Sequence, residues 1–178
     1  SLPIGGPPAP PTPPPGPPVP PPAPPASRPC KAAAFSLPRI YADHMVLQHE
    51  LPVPIWGKAD AGKSVTVQFA GQTAKTKADR EGRWKVWLRP LKADSTGREL
   101  KVSNGGDSTI IRDVLVGEVW FSGGQSNMGY TVRGMARRLP EGKALADAAD
   151  FNGIRYRKVN EKNSPTPQAD LTGGSWLV

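Results

Sequence analysis

Short segments that alternate apolar and polar residues fill the chain from residue 35 to about residue 112. The alternation is clearest in Ser64–Phe69 and in Trp84–Leu88. Successive side chains of a β-strand point to opposite faces, so this pattern predicts strands with one buried face. A series of such strands at close spacing predicts a β sandwich over residues 35–112.

Eight segments carry this strand pattern, and turn residues, mostly glycine with a polar neighbour, separate several of them. The predicted strands are Arg39–Ala42, Met45–Gln48, Val53–Trp56, Ser64–Phe69, Gln72–Lys77, Trp84–Leu88, Glu99–Ser103 and Ser108–Arg112.

Three tryptophans of this region admit two interpretations, a hydrophobic core or an aromatic platform for a sugar. Trp84 lies on the apolar side of its strand, which favours the core. Trp87 falls on the opposite face of the same strand and is the best candidate for exposure. Trp56 stays open between the two interpretations.

The first 34 residues have a different composition, since 16 of the 23 prolines lie in residues 1–29. Proline runs favour an extended polyproline helix without internal hydrogen bonds, which cannot bury a core. We therefore predict a Pro-rich linker over residues 1–34. Its P-x-x-P patterns also fit a ligand for SH3 or WW domains. Cys30, the only cysteine, has no partner in the chain for a disulfide.

A serine turn follows an apolar, β-prone run that includes Val114–Val116 and Val119–Phe121. We predict a buried strand here, followed by a tight turn at Gly123 and Gly124. Ser126 lies just past the turn, the position at which many hydrolases present a nucleophile. The spacing alone is a weak signal, which by itself favours a plain structural turn.

Beyond the serine, Glu141–Asp150 has the composition of a short helix and Ile154–Val159 that of a strand. Strand, helix and strand in this order predict the start of an α/β layer with a parallel sheet. Such sheets need several units of this kind. We therefore expect residues 113–178 to be an α/β domain that is begun and not completed.

Composition argues against several classes of partner and cofactor. The net charge is +8, but the basic residues are scattered, and no basic stripe interleaved with aromatic residues suggests nucleic-acid binding. The histidines, His44 and His49, and the single cysteine do not form a zinc-type spacing. No apolar run approaches the length of a membrane span. We expect no metal, organic cofactor, nucleic-acid or membrane partner.

Three motifs in a fixed order resemble the SGNH-type carbohydrate O-acetylesterases, in particular the sialate O-acetylesterase family. Gly124–Met128 resembles the first sequence block of that family, and Gly117–Trp120 resembles its approach strand. Ala42–Gln48, followed by Pro52–Gly57, resembles its opening segment. The resemblance covers about residues 35–178.

The resemblance implies a truncated α/β hydrolase domain of the SGNH, flavodoxin-like type after the β sandwich. It implies Ser126 as the nucleophile, with Gly124, Gln125 and Asn127 at the substrate, and an O-acetylated carbohydrate as that substrate. It also implies that a glycine and an asparagine of later blocks donate to the oxyanion, and that a late Asp-x-x-His block carries the base. No histidine follows Ser126 here, so we expect this chain alone to be inactive.

Several alternatives remain open. His44 or His49 could serve as the base, because a catalytic triad is defined by geometry and not by order in the chain. Position 129 is glycine, where the family commonly has glutamate. The chain could instead be a non-catalytic module on a Pro-rich tether that binds glycan or protein. The linker and the family together predict an extracellular or periplasmic location, and the oligomeric state is open.

Overall fold

A computed structural model describes residues 35–124, 126–131, 134, 136–139, 141–148, 151, 153–160 and 163–178. The strands are β1 (Val46–Gln48), β2 (Val53–Lys58), β3 (Ser64–Phe69), β4 (Gln72–Lys77), β5 (Arg83–Leu88), β6 (Asp94–Ser103), β7 (Ser108–Gly117), β8 (Tyr156–Arg157) and β9 (Trp176–Leu177). A 3₁₀ helix spans Ser126–Gly129, and an α-helix, α1, spans Gly142–Ala148. The predicted linker, with Cys30, lies outside the described residues.

The strands form three sheets, of which the largest has the order β1-β7-β6-β3-β4. Strand β1 pairs with β7 in parallel, and the other pairs of this sheet are antiparallel. The second sheet is the antiparallel pair β2 and β5, and the third is the antiparallel pair β8 and β9. The architecture is mostly β, as the alternation predicts, and the finer assignment as a sandwich stays a prediction.

One hydrophobic core receives side chains from the five-stranded sheet and from the sheet of β2 and β5. Val65, Val67 and Leu100 of the five-stranded sheet have no exposed surface, and neither does Ile55 of the two-stranded sheet. Full burial of such a side chain stabilises the fold by about 1.5–3 kcal/mol. The core therefore holds β2 and β5 against the large sheet without hydrogen bonds between the two sheets' strands.

The two tryptophans of β5 lie on opposite faces, as the sequence predicts. Trp84 is 3% exposed and belongs to the core, whereas Trp87 is 56% exposed. Trp56 of β2 also faces outward, because its neighbours Ile55 and Gly57 are the buried ones.

The strands differ from the sequence prediction chiefly at Arg39–Ala42 and in the last two predicted strands. The segment Arg39–Ala42 forms a turn, in which the Tyr41 amide donates to the carbonyl of Pro38. The last two predicted strands lengthen to β6 and β7, because these two pair with each other along most of their length. Strand β7 runs across the predicted domain boundary at residues 112 and 113.

The predicted strand-helix-strand unit with a parallel sheet is wrong for the described residues. Helix α1 forms within its predicted range, but β8 pairs antiparallel with β9 and does not pair with β7. The segment after α1 instead docks on the β module. The Trp176 indole N–H donates to the carbonyl of Ile40 at 2.9 Å, and the Arg39 amide donates to Asp170 Oδ1, also at 2.9 Å.

Candidate functional site

Ser126 begins the 3₁₀ helix that follows the loop after β7, and its side chain is exposed. Gly124 precedes it in the exposed loop, Gln125 lies outside the described residues, and Asn127 is described only through its backbone in the 3₁₀ helix. The assignment of these four residues to nucleophile and substrate binding therefore stays a prediction.

The predicted buried strand before the serine is only half correct. Val114, Leu115 and Val116 are buried in β7, but β7 ends at Gly117, and beyond it Trp120 is 83% and Phe121 is 97% exposed. The strand ends there because its parallel partner β1 ends at Gln48, the residue opposite Gly117. Without a neighbouring strand, the backbone beyond Gly117 has no ladder to join.

Three side chains connect the end of β1 to the start of the loop that carries Ser126. The Val119 amide donates to Gln48 Oε1 at 2.8 Å, and Gln48 Nε2 donates to Glu118 Oε1 at 3.2 Å. His49 Nε2 lies 2.8 Å from Glu118 Oε2. We call Gln48, His49 and Glu118 the loop anchor. It replaces the missing ladder with side-chain hydrogen bonds at the residues where both strands end.

Electrostatics keep the carboxylate of the loop anchor ionised. The contact with His49, and then the amide of Gln48, hold the pKa of Glu118 below its ordinary value. An ionised carboxylate accepts stronger hydrogen bonds than a neutral one. The Glu118 side chain is more than half exposed, so solvent screens these contacts and each contributes modestly to stability.

A second cluster, the Asp113 cluster, joins the opening segment to the chain after α1. His44 Nδ1 lies 2.6 Å from Asp113 Oδ2, and Arg155 Nη2 lies 2.9 Å from the same oxygen. Arg155 Nη1 also donates to the Asp113 carbonyl, and the Arg155 side chain is almost fully buried. The contacts with His44 and then Arg155 lower the pKa of Asp113.

The Asp113 cluster depends on an unusual local backbone. His44 and Asp113 have positive φ angles of 69° and 54°, in the region that side chains other than glycine seldom adopt. Gly97 of β6 faces Asp113 closely enough that an added Cβ would collide with Asp113 Oδ1. A glycine is therefore required at position 97 for Asp113 to keep its position between His44 and Arg155.

The two histidines each face a carboxylate. His44 contacts Asp113, and His49 contacts Glu118. Within the part of the chain that the structure describes, no hydrogen bond joins Ser126 to either imidazole. The same residues contain no group of three side chains suited to a metal ion and no helix long and apolar enough to cross a membrane.

Comparison with known proteins agrees with the family resemblance of the sequence. The chain is 31% identical to the sialate O-acetylesterase of Rattus norvegicus over 141 residues, which is 74% of this chain, and 31% identical to that of Mus musculus over 140 residues. The chain belongs to the sialate O-acetylesterase family, and it matches the family's N-terminal portion. A crystal structure of a carbohydrate acetylesterase from Xanthomonas citri superimposes with a TM-score of 0.73 and 38% identity over 81% of this chain.

The match covers only part of each relative. This sialate O-acetylesterase family member spans 26% of the rat protein, 25% of the mouse protein and 32% of the Xanthomonas citri chain. It matches no protein-family model.

The loop anchor and the Asp113 cluster were not predicted from the sequence. Each cluster joins residues that lie about seventy positions apart in the chain, as Gln48 and Glu118 do. The available signal was a polar residue at the end of an apolar run in both segments: Gln48 directly follows Met45–Leu47, and Glu118 follows Val114–Val116 after one glycine. That signal acquires meaning only when β1 is known to pair in parallel with β7.

Proposed function

We propose that this chain is the N-terminal part of a carbohydrate O-acetylesterase and that Ser126 is its nucleophile. Family membership carries the proposal, together with the place of Ser126 in the motif Gly124–Met128 directly after β7. The exposed start of a 3₁₀ helix leaves the serine side chain accessible to a substrate.

The proposed reaction is acyl transfer in two steps. Ser126 Oγ attacks the acetyl carbonyl carbon while a base takes its proton, and the sugar oxygen leaves with that proton. Water then attacks the acetyl-serine, releases acetate and restores the hydroxyl. Each well-placed donor to the tetrahedral oxyanion contributes about 3 kcal/mol. We assign the Ser126 amide to this role, beside the glycine and asparagine that the family resemblance implies.

We assign the base to the Asp-x-x-His block that the family resemblance implies, rather than to His44 or His49. A carboxylate at one ring nitrogen, as His44 and His49 both have, is also the arrangement of a catalytic histidine. The assignment rests instead on the absence of a hydrogen bond from either imidazole to Ser126 among the described residues.

The exposed apolar residues after β7 support the fragment part of the proposal. Three consecutive apolar residues, Val119, Trp120 and Phe121, are exposed to solvent. Such a contiguous apolar stretch usually marks a surface that another element covers. In the complete esterase we expect further strands of the hydrolase domain to cover it. On the Pro-rich linker and the family we propose an extracellular or periplasmic location.

Gly129 departs from the family's glutamate without a packing reason. No described atom lies within 4 Å of the position that a Cβ would occupy there, and its φ angle is not positive. A glutamate at this position is therefore compatible with the fold, and Gly129→Glu is expected to leave stability unchanged.

The test compares two serines of the same loop in the complete protein. Ser126→Ala is expected to lower the rate of acetate release from an O-acetylated sialic acid by at least about a thousandfold. Ser122→Ala, an exposed serine outside the motif, is the matched control and is expected to retain full activity. Unchanged turnover in Ser126→Ala would overturn the assignment of the nucleophile.

Sequencing the parent transcript past the codon for Val178 tests the fragment part separately. We expect further βαβ units and an Asp-x-x-His block. If the reading frame closes at Val178, the fragment proposal fails, and a partner chain would have to supply the base.

A further inference from the structure

The outer face of the two-stranded sheet carries aromatic and basic side chains in register. Trp56 lies directly opposite Lys85, and Lys58 lies directly opposite Arg83. Trp87 lies one row further, opposite Pro54. Directly opposite residues of an antiparallel pair share one face, with Cβ atoms about 5 Å apart. Indole rings and cationic groups therefore alternate on one surface, here called the aromatic-cationic face.

The aromatic part of this face is held in place by the core. Tyr41 packs edge-on against Trp56, with ring centroids 5.0 Å apart and an interplanar angle of 75°. The Tyr41 hydroxyl donates to the carbonyl of Pro54 at 3.0 Å, and burial raises the pKa of Tyr41, so that this donor stays protonated. The Trp56 indole is thus oriented before any ligand arrives, which lowers the entropy cost of binding.

The charge around the face is positive on balance. Arg83 pairs with both Asp79 and Glu81, at 3.0 Å and 3.3 Å, so that these three groups together carry one negative charge. Lys58 and Lys85 of the face, and Lys77 of β4 beside it, form no salt bridge with any residue that the structure describes. The ammonium of Lys85 lies 4.4 Å from the centre of the Trp87 ring, so that cation and aromatic ring form one unit.

A shallow, open depression of about 470 Å³ lies beside the same strands. The residues that line it come from β2, β4, β5 and the turn before β5: Trp56, Lys77, Asp79, Arg83, Trp84 and Lys85. Its volume lies within the range of about 300–1,000 Å³ that is usual for small-ligand sites. The aromatic-cationic face is therefore continuous with a concave surface large enough for a sugar ring.

We propose that the aromatic-cationic face binds an acidic oligosaccharide, in which sugar rings pack on Trp56 and Trp87 and their carboxylates pair with Lys58 and Lys85. The C–H face of a pyranose is apolar and matches an indole, while the uncompensated ammonium groups select a negative charge. The choice of a carbohydrate rests on the proposed function. The face would hold a glycan chain on β2 and β5 of the β module, which are strands other than the β7 that leads to the serine turn.

The test uses the 178-residue chain and NMR signals of the indole N–H groups. The probe is a trimer of sialic acid at low salt, with neutral maltotriose as the reference sugar. We expect the signals of Trp56 and Trp87 to shift with the acidic trimer. Neutral maltotriose should bind at least about threefold more weakly, because it lacks the charge. Added salt should weaken binding of the acidic trimer only.

Two pairs of variants assign the effect to the face. Trp87→Ala is expected to weaken binding about fivefold or more, whereas Trp120→Ala, an exposed tryptophan outside the face, is expected to leave it unchanged. Lys85→Gln is expected to weaken binding about threefold at low salt. Lys101 is an exposed lysine of β6, and Lys101→Gln is expected to leave binding unchanged.

The outcomes separate this proposal from the esterase proposal. If Ser126→Ala still binds the acidic trimer and the complete protein releases no acetate, the glycan-binding proposal stands and the esterase proposal is overturned. Acetate release by the complete protein, with no shift of Trp56 or Trp87, overturns the face alone. Shifts of Trp87 that follow protein concentration without sugar would mean that a second copy covers the face, and would also overturn the proposal.

Discussion

His49 Nε2 lies 2.8 Å from Glu118 Oε2, and this contact joins the residue after β1 to the residue after β7. The two strands are parallel and end opposite each other at Gln48 and Gly117. The chain then continues from β7 toward Ser126 without a further strand partner among the described residues. The contact therefore fixes the direction in which the loop with the candidate nucleophile leaves the sheet.

Removal of the glutamine of the loop anchor should release one backbone amide. In Gln48→Ala the Val119 amide loses the acceptor at 2.8 Å, and we expect its hydrogen exchange to accelerate about fivefold. Gln72→Ala is the matched control, since Gln72 Oε1 accepts from the Arg89 amide at 2.8 Å on another edge of the fold. It should accelerate exchange at Arg89 and leave Val119 unchanged. Equal effects of both variants on Val119 would contradict the anchor.

Asp113 should make the fold sensitive to acid. Its pKa is lowered in the folded state by His44 and Arg155, so the unfolded chain binds the proton more readily. The stability that the ionised carboxylate contributes is complete above about pH 4 and is lost as the pH falls through the lower folded-state pKa. Thermal unfolding between about pH 7 and pH 2 should show a steeper acid limb in the natural protein than in Asp113→Asn.

The control for this acid limb is Asp60→Asn, because Asp60 forms no salt bridge with the residues that the structure describes. Its Tm should follow that of the natural protein at every pH. An Asp113→Asn curve that only shifts down by a constant amount would mean that the cluster acts by packing and not by charge.

The β part of the fold follows from local sequence, and Trp84 and Trp87 show why. Alternation assigns one tryptophan to the core and the other to the surface, and both assignments are confirmed. A strand by itself places successive side chains on opposite faces, so the buried face can be predicted without knowing which strands lie beside it. The turns between the strands are also local, since Gly62 and Gly105 have positive φ angles, which glycine adopts without strain.

The region after β7 could not be predicted in this way. Trp120 and Phe121 have the composition of a buried strand, but a strand also needs a hydrogen-bonding neighbour, and β1 ends before it can supply one. Tyr156–Arg157 is strand-like as predicted, yet it pairs with Trp176–Leu177, a partner that no local pattern specifies. The residues of the loop anchor are likewise brought together only by the pairing of β1 with β7.

At Gly57, β2 lies close to the carbonyl of Ser36 and to the ring of Trp84. A Cβ at this position would collide with the carbonyl of Ser36 and lie 2.8 Å from Cζ2 of Trp84. Because one contact is backbone and the other is a core ring, neither can move away cheaply, and Gly57→Ala should lower the free energy of unfolding by about 1–3 kcal/mol. In Gly106→Ala the nearest atom is 3.8 Å away, so the change should stay within about 0.5 kcal/mol. Urea denaturation of the two variants gives the comparison, and similar losses in both would rule out a steric cause.

Trp176 tests whether the end of the chain is part of the same folded unit as the β module. Its indole N–H donates to the carbonyl of Ile40 at 2.9 Å, and its ring packs against the core. Trp176→Ala removes both interactions and should lower the free energy of unfolding by about 2 kcal/mol. Trp120→Ala, which removes an 83% exposed ring, should change it by less than about 0.5 kcal/mol. If both variants unfold at the same urea concentration as the natural protein, the segment that contains β9 contributes nothing to the stability of the module.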